Sequence, residues 1–168
     1  MTDLTIRALG ASDMPAVMQV QAQCYTAIEP ESLQSMRAKR EAAPQLCRGA
    51  WLGGALIGYL SAVPVRGLEL PALDSRRCIV AADADTLYLH DLALLPAARG
   101  SGAGLALVRQ VTAAGARLGL GRALLVAIQG SVPYWRRHGF DVVAGTAQVQ
   151  TKLISYGADA RLMQRALP

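Results

Sequence analysis

Aromatic residues make up only 5% of the 168-residue chain, and lysine occurs twice, at Lys39 and Lys152. The net charge of +5 therefore rests on arginines, scattered along the chain and not interleaved with aromatics. No stacking platform for nucleic acid results, and no nucleic-acid partner is expected. Hydrophobic residues reach 52%, yet no apolar run of about 18 residues free of polar breaks occurs, so no membrane partner is expected either. Met1 to Thr5 lack a basic region leading into an apolar core of signal-peptide type. Cys24, Cys47 and Cys78 are too few and too far apart for a disulfide framework or a zinc site. They read as reduced, mostly buried thiols in a cytoplasmic protein without a metal. The length suits one domain, residues 1–168, with a real core.

Thr5 to Ala8 read as a first strand. Ser12 is the expected N-cap of a helix with Pro15 in its first turn, and Met14, Val17, Met18, Gln21, Cys24 and Tyr25 recur at helical spacing. A second helix is expected from near Glu31, using Leu33 and Met36 and ending at Pro44. Leu46 to Leu52, Gly53-Gly54 and Ala55 to Val63 form a hairpin pattern. Residues 64–85 show no convincing period and are expected as a long loop walling a site.

Thr86 to Leu95 is a fourth strand, followed by a helix from Gly102 with Leu107, Val108, Val111, Gly115 and Leu118 toward the sheet. Gly119 and Gly121 stop it, and Ala123 to Ile128 is an apolar run suited to a strand covered on both faces. That order is a parallel β-α-β unit. Ser131 can cap a short helix from Val132 to His138, Asp141 to Ala144 is another strand, and Ala160 to Leu167 a last one. Hairpins followed by such a unit give an α/β fold, a mixed sheet with helices on both faces.

The junction of that unit carries the clearest motif, Pro96-Ala97-Ala98-Arg99-Gly100-Ser101-Gly102-Ala103-Gly104-Leu105. Alternating glycines let backbone N–H groups approach a ligand, and the helix N-terminus adds free donors, so a phosphate-bearing guest is expected. A dinucleotide fingerprint would need glycine in place of Leu105 and an acid about 20 positions on, where Gly119 to Ala127 hold none. A Walker loop would need Lys and Ser or Thr in place of Leu105 and Ala106.

What remains, Arg99-x-x-Gly102-x-Gly104 after Leu94-Leu95-Pro96 and before Tyr134-Trp135-Arg136-Arg137-His138-Gly139-Phe140, resembles the GNAT superfamily of N-acetyltransferases. The resemblance is specific over residues 86–140. It implies a mostly antiparallel central sheet and acetyl-CoA as co-substrate. The pantetheine arm would lie along Leu92, Ala93 and Leu94, whose backbone N–H groups polarise the thioester carbonyl, an effect worth about 3 kcal/mol per donor. The diphosphate would rest on Gly100, Ser101, Gly102, Ala103, Gly104 and Leu105, with Arg99 opening the loop. Gln129 or Ser131 stands in for an Asn that often touches the cofactor, and Arg136 and Arg137 lie where adenosine phosphates could reach.

An alkylamine acceptor, near pKa 10.4, must lose a proton before it attacks. His90 is the candidate base, matching a catalytic histidine of the serotonin N-acetyltransferase branch; the alternative is a hydrogen-bonded structural histidine. In a regular strand it shares a face with Tyr88 and Leu92, while Asp91 points the other way. The usual thiolate-protonating tyrosine is replaced by Trp135, leaving the adjacent Tyr134 as a candidate acid or as core packing with Trp135. Tyr25, Glu29 and Tyr88 are expected at the acceptor, with Glu31 either attracting a cationic amine or opening its helix. A covalent cysteine route is disfavoured, because no Cys lies in the segments assigned to the site. The expected activity is acetyl transfer to a small-molecule amine, with a protein N-terminal or lysine acetyltransferase and a noncatalytic acyl-CoA sensor as alternatives. Relatives often form a homodimer.

Overall fold

The computed structural model describes residues 3–25, 31–71 and 74–168. Its centre is a seven-stranded sheet in the order β1-β2-β3-β4-β5-β7-β6. The strands are β1 (Leu4–Ala8), β2 (Cys47–Leu52), β3 (Ala55–Val65), β4 (Thr86–Leu94), β5 (Arg122–Ala127), β6 (Asp141–Val142) and β7 (Arg161–Ala166). All neighbours are antiparallel except β4 and β5, which run parallel through the intervening helix α3 (Ala103–Arg117). The fold class expected from the sequence is the one observed.

The sheet is covered on both sides. Helices α1 (Met14–Cys24) and α2 (Leu33–Ala42) bring Met14, Val17, Val20 and Met36 onto Cys47, Tyr59 and Ala93, whereas Leu107, Val108 and Val111 of α3 join the larger core with Leu60, Leu87 and Leu124. Helix α3 approaches closely at Gly115, where a Cβ would stand 2.9 Å from Leu87 Cδ2. It ends at Arg117, so Leu118 leaves the apolar stripe and is 47% exposed, contrary to its expected sheet-facing place.

Other local differences have physical causes. Ser12 does not cap α1; it lies in a 3-10 turn, and the Asp13 carboxylate accepts the Gly10 N–H at 2.7 Å while pairing with Arg7 at 2.8 Å. Ser32 caps α2, its hydroxyl accepting the Ser35 N–H at 3.2 Å. The short helix α4 (Val132–Arg137) matches its expected position. Helix α5 (Ala147–Ile154), capped by Thr146, was not expected, and Lys152 Nζ on it donates to the Leu70 carbonyl of the long loop.

The decisive irregularity is in β4. Ser61 pairs with Asp91 but Ala62 pairs with Leu89, so His90 is an extra residue, a β-bulge at the middle of the strand.

Candidate active site

Two facts of strand geometry create a cleft. β4 and β5 pair only from Thr86 with Arg122 to Leu89 with Leu125, and beyond that point they separate. The opened edge of β4, from His90 to Leu94, forms one wall, and Val126, Ile128, Gln129 and Tyr134 stand across a cavity of about 260 Å³. Leu95 donates its N–H to Ile57 of β3 at 2.8 Å. Main-chain groups alternate in direction along a strand, so Ala93 also addresses β3, while Leu92 and Leu94 address the cleft. Their carbonyls already have partners from the end of α1: the Tyr25 hydroxyl donates to Leu92 O at 2.9 Å and the Cys24 thiol to Leu94 O at 3.2 Å. The N–H groups are what the edge offers a ligand.

At the bulged end, His90 and Asp91 both reach toward the α1 and α2 side, because the extra residue breaks the alternation that would have sent Asp91 to the opposite face. His90 Nε2 is hydrogen-bonded to the Glu31 carboxylate, which also accepts Lys39 Nζ at 2.8 Å and the Ser35 hydroxyl at 2.7 Å. The His90 and Lys39 side chains are each 2% exposed. Burial alone would raise the Glu31 pKa, but the hydrogen bond and charge of His90, with those of Lys39, outweigh it and hold the group at about 2. An anionic Glu31 fixes Nε2 as the protonated nitrogen, leaving Nδ1 with the lone pair. Nδ1 is buried and has no partner among the described residues. Glu31 is thus turned inward to its own cations, which corrects its expected role of attracting an amine.

Asp91 is held by two phenols, Tyr25 at 2.5 Å and Tyr59. Burial raises its pKa, against the nearby His90 and the two hydroxyl donors, and Asp91 pairs with no cation among the described residues. Burial and the Asp91 charge push both phenols well above their usual range. Tyr88, expected at the acceptor, is fully buried instead: its hydroxyl lies 3.5 Å from that of Tyr156, and it meets the site only through the His90 ring, 5.8 Å between centroids. Glu29 lies outside the described residues.

The other end of the cleft is the glycine loop. Gly100 and Gly102 have φ of +82° and +86°, a conformation that side chains other than glycine rarely adopt. Within the loop the Ser101 N–H donates to Ala98 O at 3.1 Å and the Ala103 N–H to the Ser101 hydroxyl at 3.2 Å. The amides of Ser101 and Ala103 are therefore committed internally, contrary to their expected place on the ligand. Gly100, Gly102, Gly104 and Leu105 keep free N–H groups among the described residues. At Gly104 the constraint is space: a Cβ there would lie 2.5 Å from the Tyr134 hydroxyl and 2.9 Å from Leu94 Cδ1.

That contact also locates Tyr134. Its hydroxyl is buried, lacks a hydrogen-bond partner among the described residues, and abuts Gly104 and not the bulge. Leu94 lies four residues from His90, about 13 Å along an extended strand. Tyr134 is therefore at the glycine-loop end of the cleft, away from His90. Trp135 turns into the core beside Phe140, ring centroids 5.6 Å apart, and the Tyr134 ring packs on it edge to face at 5.2 Å, as expected, with both residues bordering the cleft. Gln129 borders the cleft with φ of +53°, a strained value for a side-chain-bearing residue, and Arg99 and Ser131 line the same wall.

Sequence reasoning missed Cys24 and Asp91, because a bulge has no motif and helix α1 folds over an edge 67 residues away. Cys24 borders the cleft after all. Its thiol is spent on Leu94 O and burial raises its pKa, which leaves it protonated and a poor nucleophile.

A family model described as the Acetyltransferase (GNAT) family matches residues 14–140. No curated protein sequence matches the chain. Among solved structures, the loading GNATL domain of CurA from Lyngbya majuscula has a TM-score of 0.81 at 11% identity, with 98% of both chains covered. The GphF GNAT-like decarboxylase in complex with isobutyryl-CoA has 0.77 at 20% identity, covering 98% of this chain and 100% of that one. The ribosomal-protein-S18-alanine N-acetyltransferase from Escherichia coli has 0.70 at 16% identity, covering 98% and 94%. Likeness at these identities is likeness of fold.

Proposed function

The chain belongs to the GNAT acetyltransferase family, and from that premise we propose that it transfers the acetyl group of acetyl-CoA to the primary amine of a small molecule. The observation that carries this reading is the cleft itself, with four free amides at one end and a histidine-bearing bulge at the other. The diphosphate of the co-substrate sits on the N–H groups of Gly100, Gly102, Gly104 and Leu105, and Arg99 and the partnerless Tyr134 hydroxyl supply further donors. Tyr134 is a binding residue in this reading; no acid is needed for a thiolate that leaves with the acidity of an ordinary thiol, about 8.5. The pantetheine arm runs along β4, taking hydrogen bonds from the N–H groups of Leu92 and Leu94. Gln129 faces it from the opposite wall.

The amine enters at the bulged end beside Tyr25 and Asp91, whose uncompensated carboxyl favours a cationic acceptor. His90 takes a proton from the ammonium, directly or through one water, at Nδ1. The free amine then attacks the thioester carbon and the C–N bond forms, the N–H groups of β4 steady the transient oxyanion, the C–S bond breaks, and the nitrogen passes its second proton through water to the departing thiolate. Glu31 holds the imidazole in the tautomer that this requires.

Thiol release from acetyl-CoA, measured while primary amines and peptide N-termini are supplied in turn, tests the reading. Small amines should accelerate release. Acceleration by peptides alone would assign the acceptor to proteins, and tight acetyl-CoA binding with no release for any amine would make the molecule a cofactor-binding module.

A further inference from the structure

Gln21 follows the core residues Val17 and Val20 in α1, is itself 2% exposed, and is not part of the cleft lining. Its side-chain amide is spent on one residue. Gln21 Nε2 donates to the Glu31 carbonyl at 3.0 Å, and Gln21 Oε1 accepts the Glu31 N–H at 3.2 Å. Only one orientation of the amide satisfies both partners, so donor and acceptor follow from the contacts. A two-way exchange of this kind fixes neighbouring strands; here a side chain makes it to the residue whose carboxylate holds His90 Nε2. Ser35 and Lys39 hold that carboxylate from within α2, and the Ser32 hydroxyl caps the same helix. Gln21 ties the Glu31 main chain to α1 instead. One turn further along α1 the Tyr25 N–H donates to the Gln21 carbonyl at 2.9 Å, and the Tyr25 hydroxyl reaches Asp91 and the Leu92 carbonyl. One face of α1 therefore braces the bulge twice, through Tyr25 directly and through Gln21 by way of Glu31.

Leaving a partly buried main-chain N–H and C=O without partners is costly, so a chain that lost this clamp would shift until both found new ones. The Glu31 carboxylate would then follow Ser35 and Lys39, which belong to the helix it precedes, and part from His90. Resting on the reading of His90 as the base of an acetyl transfer, we propose that Gln21 is a positioning residue of that reaction: by clamping the Glu31 main chain it keeps the carboxylate on Nε2 of His90 and the lone pair on Nδ1. It acts through Glu31 alone.

Nitrogen spectra of the imidazole rings, read beside steady-state rates, test the proposal. The chain has two histidines, so the spectrum of His90→Ala assigns the signals of His90. At about pH 8.5, above the ordinary histidine value of about 6.5, the native protein should show a protonated Nε2 and a bare Nδ1. In Gln21→Met, which keeps the length of the side chain and drops both hydrogen bonds, the two nitrogens should move toward the averaged shifts of exchanging tautomers. Its kcat should fall about tenfold or more while KM and Kd for acetyl-CoA stay within about twofold. Gln21→Asn, too short to span the clamp, serves the same comparison should Gln21→Met not fold. Ser32→Ala removes the cap of α2 and leaves the clamp, so it should lower the melting temperature but keep the native tautomer and kcat. A Gln21→Met protein with the native tautomer, or a Ser32→Ala protein that loses it to the same degree, would overturn the proposal and leave the transfer reading intact. Failure of the native protein to release thiol for any amine would remove that reading and the proposal with it.

Discussion

His90 and Glu31, 59 residues apart in sequence, share a buried hydrogen bond through Nε2, and Lys39 closes the carboxylate from its other side at 2.8 Å. The bond decides which imidazole nitrogen carries the lone pair. It also ties the bulge of β4 to the start of α2, so positioning of the base and seating of the helix depend on one carboxylate.

Replacing His90 by Ala should leave the dissociation constant for acetyl-CoA within about twofold and slow turnover by roughly tenfold or more. Steady-state rates, set beside calorimetric binding of the same preparation, separate the two quantities. Unchanged turnover would take His90 out of the chemistry and leave it a structural residue.

Glu31 gives acid sensitivity a definite sign. Its folded pKa of about 2 lies below the ordinary 4.5, so its stabilising contribution is complete above about 4.5 and is lost as pH falls toward 2. The melting temperature of the native protein should fall across that window, and in Glu31→Gln the fall should be shallower. Near neutral pH Glu31→Gln should be the less stable protein, because buried Lys39 loses its counter-charge, and adding Lys39→Met should recover part of the loss. Identical pH profiles for the native and Glu31→Gln proteins would contradict this account.

Gly104→Ala places a methyl group against the Tyr134 hydroxyl and Leu94. Acetyl-CoA affinity should drop by about tenfold or more. Adding Tyr134→Phe removes the nearest obstructing atom, leaving Leu94 Cδ1 at 2.9 Å and the ring Cζ at 3.7 Å, and should restore part of the loss, since the same change removes a donor to the diphosphate. If the double variant binds no better than Gly104→Ala, the close approach of these residues is not what glycine serves there.

Tyr25→Phe should cost about 1–2 kcal/mol of stability in urea unfolding, since Asp91 and the Leu92 carbonyl both lose a donor. A loss below about 0.3 kcal/mol would mean that water replaces the phenol without penalty, and that Tyr25 does not brace the edge of β4.

Much of this was legible in the residues. The apolar run from Ala123 to Ile128, the glycines after Pro96 and the hairpin around Gly53-Gly54 are local signals, and the parallel unit and the anion loop followed from them. The bulge was not legible, because nothing in Tyr88 to Leu94 marks the residue that β3 leaves unpaired. The bulge accounts for Asp91, which regular alternation sent away from His90, whereas Tyr88 keeps to the His90 side as expected and is buried there beside Tyr156. Committed amides were equally hidden, since Ser101 looks like one more donor until its hydroxyl is seen accepting the Ala103 N–H. Helix α5 escaped notice because its buried contacts are only Val149 and Leu153, too few for a clear period.

The amide resonances of the glycine loop offer the most direct test of the central claim. On titration of the 15N-labelled protein with CoA, the amides of Gly100, Gly102, Gly104 and Leu105 should move most, and those of Ser101 and Ala103, already bonded inside the loop, should move least. Saturating CoA that leaves these four amides in place, or shifts a different part of the molecule, would contradict the account.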